Sequence, residues 1–176
     1  MQTLQSVKPE GTVTFRKPVR EDGAEIWELI RDCKPLDENS IYANLLQSDH
    51  FRDTCVVAEM DGAIVGWISA YLMPQDAECV FVWQVAVSAS ARGIGLGTRM
   101  LDALMRRDET ADAKRMQTTI TLDNDASWAL FRKFSKKSGA DLSSEAHFTR
   151  DTHFQGEHAT EHMVTISFRE ALKSVA

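Results

Sequence analysis

The sequence predicts a mixed α/β fold, in which one sheet with strands of both orientations is flanked by helices. Three observations support this prediction. A nearly continuous β-branched and aromatic run over residues 79–87 leads into a glycine-rich turn and an amphipathic helix. Two apolar runs on either side of Asp61-Gly62 have the form of an antiparallel hairpin. A hairpin, a strand, a helix, a strand, a helix and a strand pair then follow one another along the chain, an order that fits a mixed sheet.

The N-terminal part supplies the first strand. Residues 1–11 are polar and are predicted to be mobile, whereas residues 12–176 have the length of a single domain that can bury a substantial core. Apolar and polar side chains alternate in Val13-Thr14-Phe15-Arg16, which predicts a strand, and Pro18 ends it.

Two helices are predicted next. The first begins at Glu21-Asp22 and ends at Pro35, and the second covers about residues 40–47. The apolar spacing of the first is i, i+3, i+4, i+7. The side chains expected to face the core are Ile26, Leu29, Ile30 and Cys33 in the first helix and Ile41, Leu45 and Leu46 in the second.

The middle of the chain is predicted to form the centre of the sheet. Residues 54–60 and 63–72 are expected to pair as a hairpin around the two-residue turn Asp61-Gly62. Residues 79–87 are apolar at successive positions, which is typical of a strand covered on both faces.

The remaining elements alternate helix and strand. A helix is predicted over residues 96–107, a strand over 117–122, and a further helix after Asn124. Residues 148–154 and 162–168 are expected to form the last hairpin. The side chains predicted to face inward are Leu96, Met100, Leu101, Leu104, Met105, Trp128, Phe131 and Phe134.

Composition excludes several function classes. The formal net charge of −6 argues against a nucleic-acid partner. No run of about 20 apolar residues suggests a membrane span, and the first residues lack the apolar core of a signal peptide. Cys33, Cys55 and Cys79 lie in apolar patterns and are odd in number, so we expect buried thiols in a cytoplasmic protein.

The glycine-rich turn predicts a phosphate-binding site. Residues 92–98 read Arg-Gly-Ile-Gly-Leu-Gly-Thr between a strand and a helix, where free backbone N–H groups and the helix dipole favour an anion. A P-loop would require a Lys after the glycines, and the dinucleotide fingerprint fits weakly because Thr98 stands at its third glycine. A tight turn without a ligand is the structural alternative.

The pattern Arg-x-x-Gly-x-Gly, formed by Arg92, Gly95 and Gly97, resembles the coenzyme A loop of the GNAT superfamily of N-acetyltransferases. The resemblance implies a mostly antiparallel mixed sheet splayed at its central strand, with acetyl-CoA as co-substrate. The residues that it implies for coenzyme binding are Val85, Val87, Arg92, Gly93, Gly95, Gly97, Thr98 and Asn124.

A second superfamily pattern begins at Asn124. Ser127 and Leu130 follow at the expected spacing, but Phe131 stands where many members have a Tyr that protonates the departing thiolate. The general acid is therefore unassigned. Asn124 has an alternative role as a helix N-cap, and it could face the coenzyme while Asp125 caps the helix.

Longer segments resemble the L-2,4-diaminobutyrate acetyltransferases of ectoine biosynthesis, from about Phe15 to Gly139. The segments are Pro-Leu-Asp-Glu-Asn-Ser at 35–40, Val-Trp-Gln-Val-Ala-Val at 82–87 and the stretch 123–131. The resemblance implies acetyl transfer from acetyl-CoA to the 4-amino group of L-2,4-diaminobutyrate, as part of osmoadaptation. We also expect a homodimer.

This narrower resemblance implies a substrate pocket of Asp37, Tyr42, Trp83 and Glu157. Each has an alternative: Asp37 as a helix cap, Trp83 as a core residue, and Glu157 as a solvated charge with Glu161 as its rival. Tyr42 or water would assist the departing thiolate.

The chemistry requires an acid to bind the ammonium and accept its proton through water, a role for Asp37 or Glu157. The superfamily resemblance implies that the backbone N–H of Val85 or Val87 stabilises the oxyanion.

Three histidines lie close together near the end of the chain. The spacing between His153, His158 and His162 does not favour a metal site.

Two other functions stay open at this point. The chain could acetylate another small amine or amino acid, or it could be a non-catalytic coenzyme-A-binding module. Such a module would keep the glycine turn but would need no acidic pocket.

Overall fold

A computed structural model describes residues 11–169, so the predicted mobile segment lies outside the described residues apart from Gly11. These residues form one seven-stranded sheet and four α-helices. The strands are β1 (Val13–Arg16), β2 (Val56–Met60), β3 (Ala63–Met73), β4 (Asp76–Val87), β5 (Arg115–Thr121), β6 (Asp141–Phe148) and β7 (Glu161–Ser167). The helices are α1 (Gly23–Asp32), α2 (Ile41–Asp49), α3 (Leu96–Met105) and α4 (Asp125–Ser138).

The sheet has the strand order β1-β2-β3-β4-β5-β7-β6. All neighbouring strands are antiparallel except β4 and β5, which are parallel because α3 crosses over between them. The predicted mixed, mostly antiparallel sheet flanked by helices is confirmed. The predicted hairpin is also confirmed: Asp61 and Gly62 have φ values of 54° and 79°, the left-handed pair that a tight two-residue turn requires.

Helices cover both faces of the central strands. On one face α3 and α4 bury Met100, Leu101 and Phe134 against the sheet. On the other face α1 buries Ile26 and Ile30 in a second apolar cluster. This double cover explains why β4 is apolar at successive positions, as the sequence predicted.

Helix α2 differs from its prediction. Its inward side chains are Asn44, Gln47 and Ser48, all buried, whereas Ile41 and Leu45 are exposed. The Asn44 side-chain amide donates to Gln47 Oε1 at 3.0 Å, so part of this buried polarity is satisfied inside the helix. Apolar spacing over one short helix was therefore insufficient to assign its buried face.

The last hairpin also differs from its prediction. A strand over 148–154 was wrong, because the strand that pairs with β7 is β6 and residues 149–160 form turns. Just beyond the predicted strand, Gln155 and Gly156 have φ values of 52° and 87°, which are typical of turns. Strand β6 is exposed along nearly its whole length, so it lacks the apolar alternation that reveals a half-buried strand.

The longest described helix, α4, has 14 residues, and among residues 11–169 no helix qualifies as a transmembrane span. Cys33, Cys55 and Cys79 are buried free thiols, as predicted.

Candidate active site

The central strand separates from its parallel neighbour halfway along its length. Strands β4 and β5 pair only at Cys79, Val80 and Phe81, whereas β4 continues to pair with β3 as far as Val87. A bulge at Trp83 interrupts that second pairing, since Val82 lies opposite Ala70 and Gln84 opposite Ser69. The splay predicted at the central strand is therefore present and begins at residue 82.

The backbone N–H groups of Val85 and Val87 face this gap. Ser88 N donates to Val65 O on β3 at 2.9 Å, and successive N–H groups of a strand point to opposite edges. Val87 therefore points away from β3, and so does Val85 two residues earlier. The carbonyl group of a strand residue points to the same edge as its N–H group. The carbonyl oxygen of Val87 accepts from Cys33 Sγ at 3.3 Å and from Arg92 Nε at 3.4 Å, neither of which belongs to β3, so it also points away from β3.

The glycine turn leads directly into α3. Gly93 and Gly95 have φ values of 81° and 72°, and Gly95 is the residue immediately before the helix. Gly97 has a different function, because a Cβ there would lie 3.0 Å from Leu130 Cδ1 on α4. The first two glycines thus shape the turn, and the third allows α3 and α4 to approach closely.

A cavity of about 570 Å³, called here the loop cavity, extends from the β4 gap past the glycine turn to α4. It brings together all the residues predicted to bind the coenzyme, which are Val85, Val87, Arg92, Gly93, Gly95, Gly97, Thr98 and Asn124. Lys34 and Lys133 add positive charge that the motifs did not indicate. Helical periodicity could have found Lys133, because Ala126, Ala129 and Leu130 line the cavity from the same face of α4.

Asn124 caps α4. Its side-chain oxygen accepts from Ser127 N at 3.1 Å, and Asp125 is the first residue of the helix. Asn124 also lines the loop cavity, so its role as a cap is compatible with its predicted position beside the coenzyme, whereas Asp125 does not cap.

A second cavity of about 430 Å³, called here the acidic cavity, adjoins the loop cavity. The two share Pro35, Leu36, Val85, Asn124 and Ser127 as lining residues, so they meet at the splay. Three carboxylates line the acidic cavity: Asp37, Asp123 and Glu161. The space between β4 and β5 therefore connects the glycine turn with a cavity lined by acidic residues.

Glu161 is a half-buried carboxyl group of this cavity. Burial raises its pKa above the ordinary value, although His158 and a hydrogen bond with Thr119 act in the opposite direction. The charge of Asp37 raises the pKa further, which places the two carboxylates within electrostatic reach of each other. An acid with a raised pKa at a cavity wall is suited to accept a proton.

His158 lines the same cavity and was not predicted as a site residue. Its Nδ1 lies 2.8 Å from the carbonyl oxygen of Ala159, which can only accept, so Nδ1 carries the proton. In the neutral ring Nε2 is then an acceptor. The sequence offered only a polar loop here, without periodicity to orient its side chains.

Asp37 lies in the connection between α1 and α2. The cap of α2 is Ser40, whose hydroxyl accepts from Ala43 N at 3.1 Å. Asp37 therefore does not cap the helix, and its carboxylate lines the acidic cavity.

The other predicted pocket residues are only partly brought together. Trp83 is 51% exposed and lines the acidic cavity, so it is not a core residue. Tyr42 is 69% exposed on the outer face of α2 and lines neither cavity, because the inner face presents Asn44. Glu157 is exposed in the turns after β6 and also lines neither cavity. Its rival Glu161, at the start of β7, lines the acidic cavity.

Among residues 11–169, no group of three or more His, Cys, Asp or Glu side chains is arranged to hold a metal ion. The histidines that the sequence analysis considered are distributed over the turns and β7.

Comparison with known proteins agrees with the resemblances found in the sequence. Residues 23–135 match the family model of the acetyltransferase (GNAT) family. The L-2,4-diaminobutyric acid acetyltransferase of Vibrio cholerae serotype O1 is 45% identical over 164 residues, which cover 93% of this chain and 95% of the relative. The protein of the same name from Halomonas elongata is 46% identical over 153 residues, covering 86% and 79%.

Solved structures give the same result. The diaminobutyrate acetyltransferase EctA from Paenibacillus lautus, in complex with its substrate L-2,4-diaminobutyric acid and coenzyme A, superimposes with a TM-score of 0.85 at 37% identity. The match covers 89% of this chain and 95% of that chain. Ard1 from Thermoplasma volcanium, with a TM-score of 0.69 at 15% identity over 89% of this chain and 99% of that chain, shares the fold. The chain therefore belongs to the GNAT family of acetyltransferases, and within it to the L-2,4-diaminobutyric acid acetyltransferases.

Proposed function

We propose that this protein transfers the acetyl group of acetyl-CoA to the 4-amino group of L-2,4-diaminobutyrate, as a step of ectoine biosynthesis in osmoadaptation. One observation carries the proposal: Asp37 and Glu161 line the same cavity, which joins the loop cavity at the splay. A substrate with two ammonium groups and one carboxylate offers two cations to such a pocket. The relatives and the solved structure named above support the choice of substrate.

The loop cavity fits coenzyme A. A Cβ at Gly93 or Gly95 would meet no atom within 4 Å, so the turn leaves open space beside its backbone N–H groups. Arg92, Lys34 and Lys133 supply positive charge around this space. Phosphate oxygens are held in this way at helix N-termini.

The acceptor amine must lose a proton before it attacks the thioester. A primary amine has a pKa of about 10.4, so at about pH 7.5 the neutral form costs about 4 kcal/mol. In the proposed reaction Asp37 holds one ammonium group, and Glu161 accepts the proton of the attacking amine directly or through water. The raised pKa of Glu161 favours this transfer.

The remaining groups stabilise charge as the acetyl group moves. The N–H groups of Val85 and Val87 face the gap where the thioester oxygen would become negative. The nitrogen–carbon bond forms while the carbon–sulfur bond breaks, and the thiolate leaves with a pKa of about 8.5 by analogy with cysteine. Phe131 cannot donate a proton to it, so water or the protonated Glu161 would do so. Tyr42 and Glu157, which were predicted to be catalytic, line neither cavity, so the proposed reaction gives them no step.

A reaction panel tests the function. The protein is incubated with acetyl-CoA and separately with L-2,4-diaminobutyrate, ornithine, a polyamine and a monoamine, and products are identified by mass spectrometry. We expect one acetyl group on L-2,4-diaminobutyrate and the highest kcat/KM for that substrate. Preference for another amine would favour the broader acetyltransferase, and no product with any amine would favour a coenzyme-A-binding module.

We also propose a cytoplasmic homodimer, and sedimentation equilibrium tests the dimer. A mass of twice 19.7 kDa is expected for the pure protein.

A further inference from the structure

Gln84 is a polar side chain in the centre of an apolar strand, and it is buried. Both ends of its amide contact the connection between α1 and α2. Gln84 Nε2 donates to the carbonyl oxygen of Asp37 at 2.7 Å, and Gln84 Oε1 accepts from Asn39 Nδ2 at 3.0 Å. Gln84 thus bridges the backbone of one loop residue and the side chain of another.

Few other contacts hold the connection: Leu36 packs against the second apolar cluster, Lys34 forms an ion pair with Glu38, and two further hydrogen bonds are present. The indole nitrogen of Trp27 donates to Asn39 O at 2.9 Å, and Leu36 N donates to Cys33 O at 3.0 Å. Asp37 itself is exposed, so packing does not fix its side chain. The carbonyl of Asp37 therefore depends on Gln84 for its contact with the central strand.

We infer that Gln84 is a positioning residue, which holds the Asp37 carboxylate at the acidic cavity and thereby sets selectivity for an acceptor with two ammonium groups. The inference rests on the proposed function, because it assigns Asp37 to one of the two cations. Gln84 itself lines the acidic cavity, but both ends of its amide bind the loop, so we assign its effect to Asp37.

A glutamine is suited to this position for a chemical reason. Its amide donates to one partner and accepts from the other at the same time. A glutamate could not donate to the Asp37 carbonyl, and it would add another carboxylate beside Asp37 and Glu161. A methionine of similar length would fill the space and make neither hydrogen bond. Gln84→Met is therefore the informative variant, and Gln75→Met on the exposed β3–β4 turn is its matched control.

The first measurement needs no substrate. Hydrogen exchange followed by mass spectrometry is compared for the parent, Gln84→Met and Gln75→Met. We expect the amide of Leu36, whose N–H donates to Cys33 O inside this connection, to exchange at least about tenfold faster in Gln84→Met, because the connection loses the two hydrogen bonds that tie it to β4. The control should match the parent. Unchanged exchange of that amide would overturn the inference.

The second measurement is a kinetic double-mutant cycle with Asp37→Asn. In Gln84→Met the KM for L-2,4-diaminobutyrate should rise about tenfold, while kcat and the KM for acetyl-CoA stay within about twofold. When Gln84→Met is added to Asp37→Asn, the KM for L-2,4-diaminobutyrate should change little further, because both substitutions act through the Asp37 carboxylate. Additive effects would contradict positioning through Asp37. A parent enzyme without activity on this substrate would contradict the proposed function instead, and hydrogen exchange would still decide whether Gln84 holds the loop.

Discussion

At the scale of single residues, the proposed selectivity depends on charges held at a cavity wall. Asp37 extends from a loop and Glu161 begins a strand, so two separate parts of the chain bring their carboxylates to one space. Asp37 is exposed, whereas burial raises the pKa of Glu161. The first is suited to bind an ammonium group and the second to exchange a proton with one. Removing each charge should therefore have a different consequence.

Asp37→Asn removes a charge and keeps the shape. A charge-assisted hydrogen bond is worth about 1.5–3 kcal/mol, so kcat/KM for L-2,4-diaminobutyrate should fall at least about tenfold. The melting temperature should hardly change, because Ser40 caps α2. Steady-state kinetics and thermal unfolding check both expectations.

Ser40→Ala is the matched control for that variant. It removes the cap and should cost about 1 kcal/mol of unfolding free energy. Its kinetics should change far less than those of Asp37→Asn. Intact kinetics in Asp37→Asn would remove Asp37 from the pocket.

Glu161→Gln should stabilise the fold while it impairs the reaction. Because the folded pKa of Glu161 is raised, the folded chain binds its proton more tightly than the unfolded chain does. The ionised carboxylate therefore lowers stability above the folded pKa, and this cost disappears below the ordinary value of about 4.3. The variant should melt higher than the parent at about pH 8 and equally at about pH 4.

The kinetic loss in Glu161→Gln should be about 100-fold or more in kcat/KM, the usual size for a missing general base. Glu157→Gln is the matched control, since Glu157 lies outside both cavities. If the Glu157 variant loses activity and the Glu161 variant keeps it, the assignment of the base is reversed.

The positions of some site residues were predictable from the sequence, and those of others were not. Arg92 to Thr98 form a contiguous turn whose geometry follows from its glycines, so their common cavity was predictable. The positions of Tyr42 and Glu157 depend on how a short helix rotates and how a turn folds. Neither follows from local pattern, because α2 buries polar residues and His158 orients through a backbone contact.

At the scale of elements, the site depends on the turn between β4 and α3. Gly95 precedes the helix with a left-handed φ, and its backbone faces open space. Gly97 lets α4 pack closely, which brings Lys133 towards the same cavity.

Elements with strong periodicity, such as α3 and β4, were predicted nearly to their ends. Strand β6 was missed, because an exposed edge strand has no buried face to mark it.

Gly95→Asp and Gly95→Asn test the turn as a pair. Both side chains tolerate a left-handed φ, so the two variants differ mainly by one negative charge. Acetyl-CoA at about a hundredfold excess over Kd should stabilise the parent by about 2.7 kcal/mol. Thermal unfolding should show a smaller shift for Gly95→Asn and none for Gly95→Asp. An equal shift in the parent and Gly95→Asp would place the phosphates elsewhere.

At the scale of the whole molecule, the splay of one strand pair unites the two cavities. β4 stays paired with β3 as far as Val87, apart from bulges such as the one at Trp83, while it leaves β5 after Phe81, which exposes the backbone of the central strand. The order of strands and helices was predictable because each local pattern agreed with the mixed sheet. The meeting of Asp37 with Glu161 was not, since 124 positions separate them in the chain (161 minus 37) and only the folded sheet brings them together.

The position of the acetyl group on the product tests the central claim most directly. A pocket that binds the carboxylate end and the 2-ammonium group first would direct only the 4-amino group to the thioester at the splay. Nuclear magnetic resonance of the product formed from L-2,4-diaminobutyrate and acetyl-CoA distinguishes the two nitrogens. We expect N4-acetyl-L-2,4-diaminobutyrate as the sole product, whereas comparable acetylation of the 2-amino group, or no acetylation, would rule out the pocket described here.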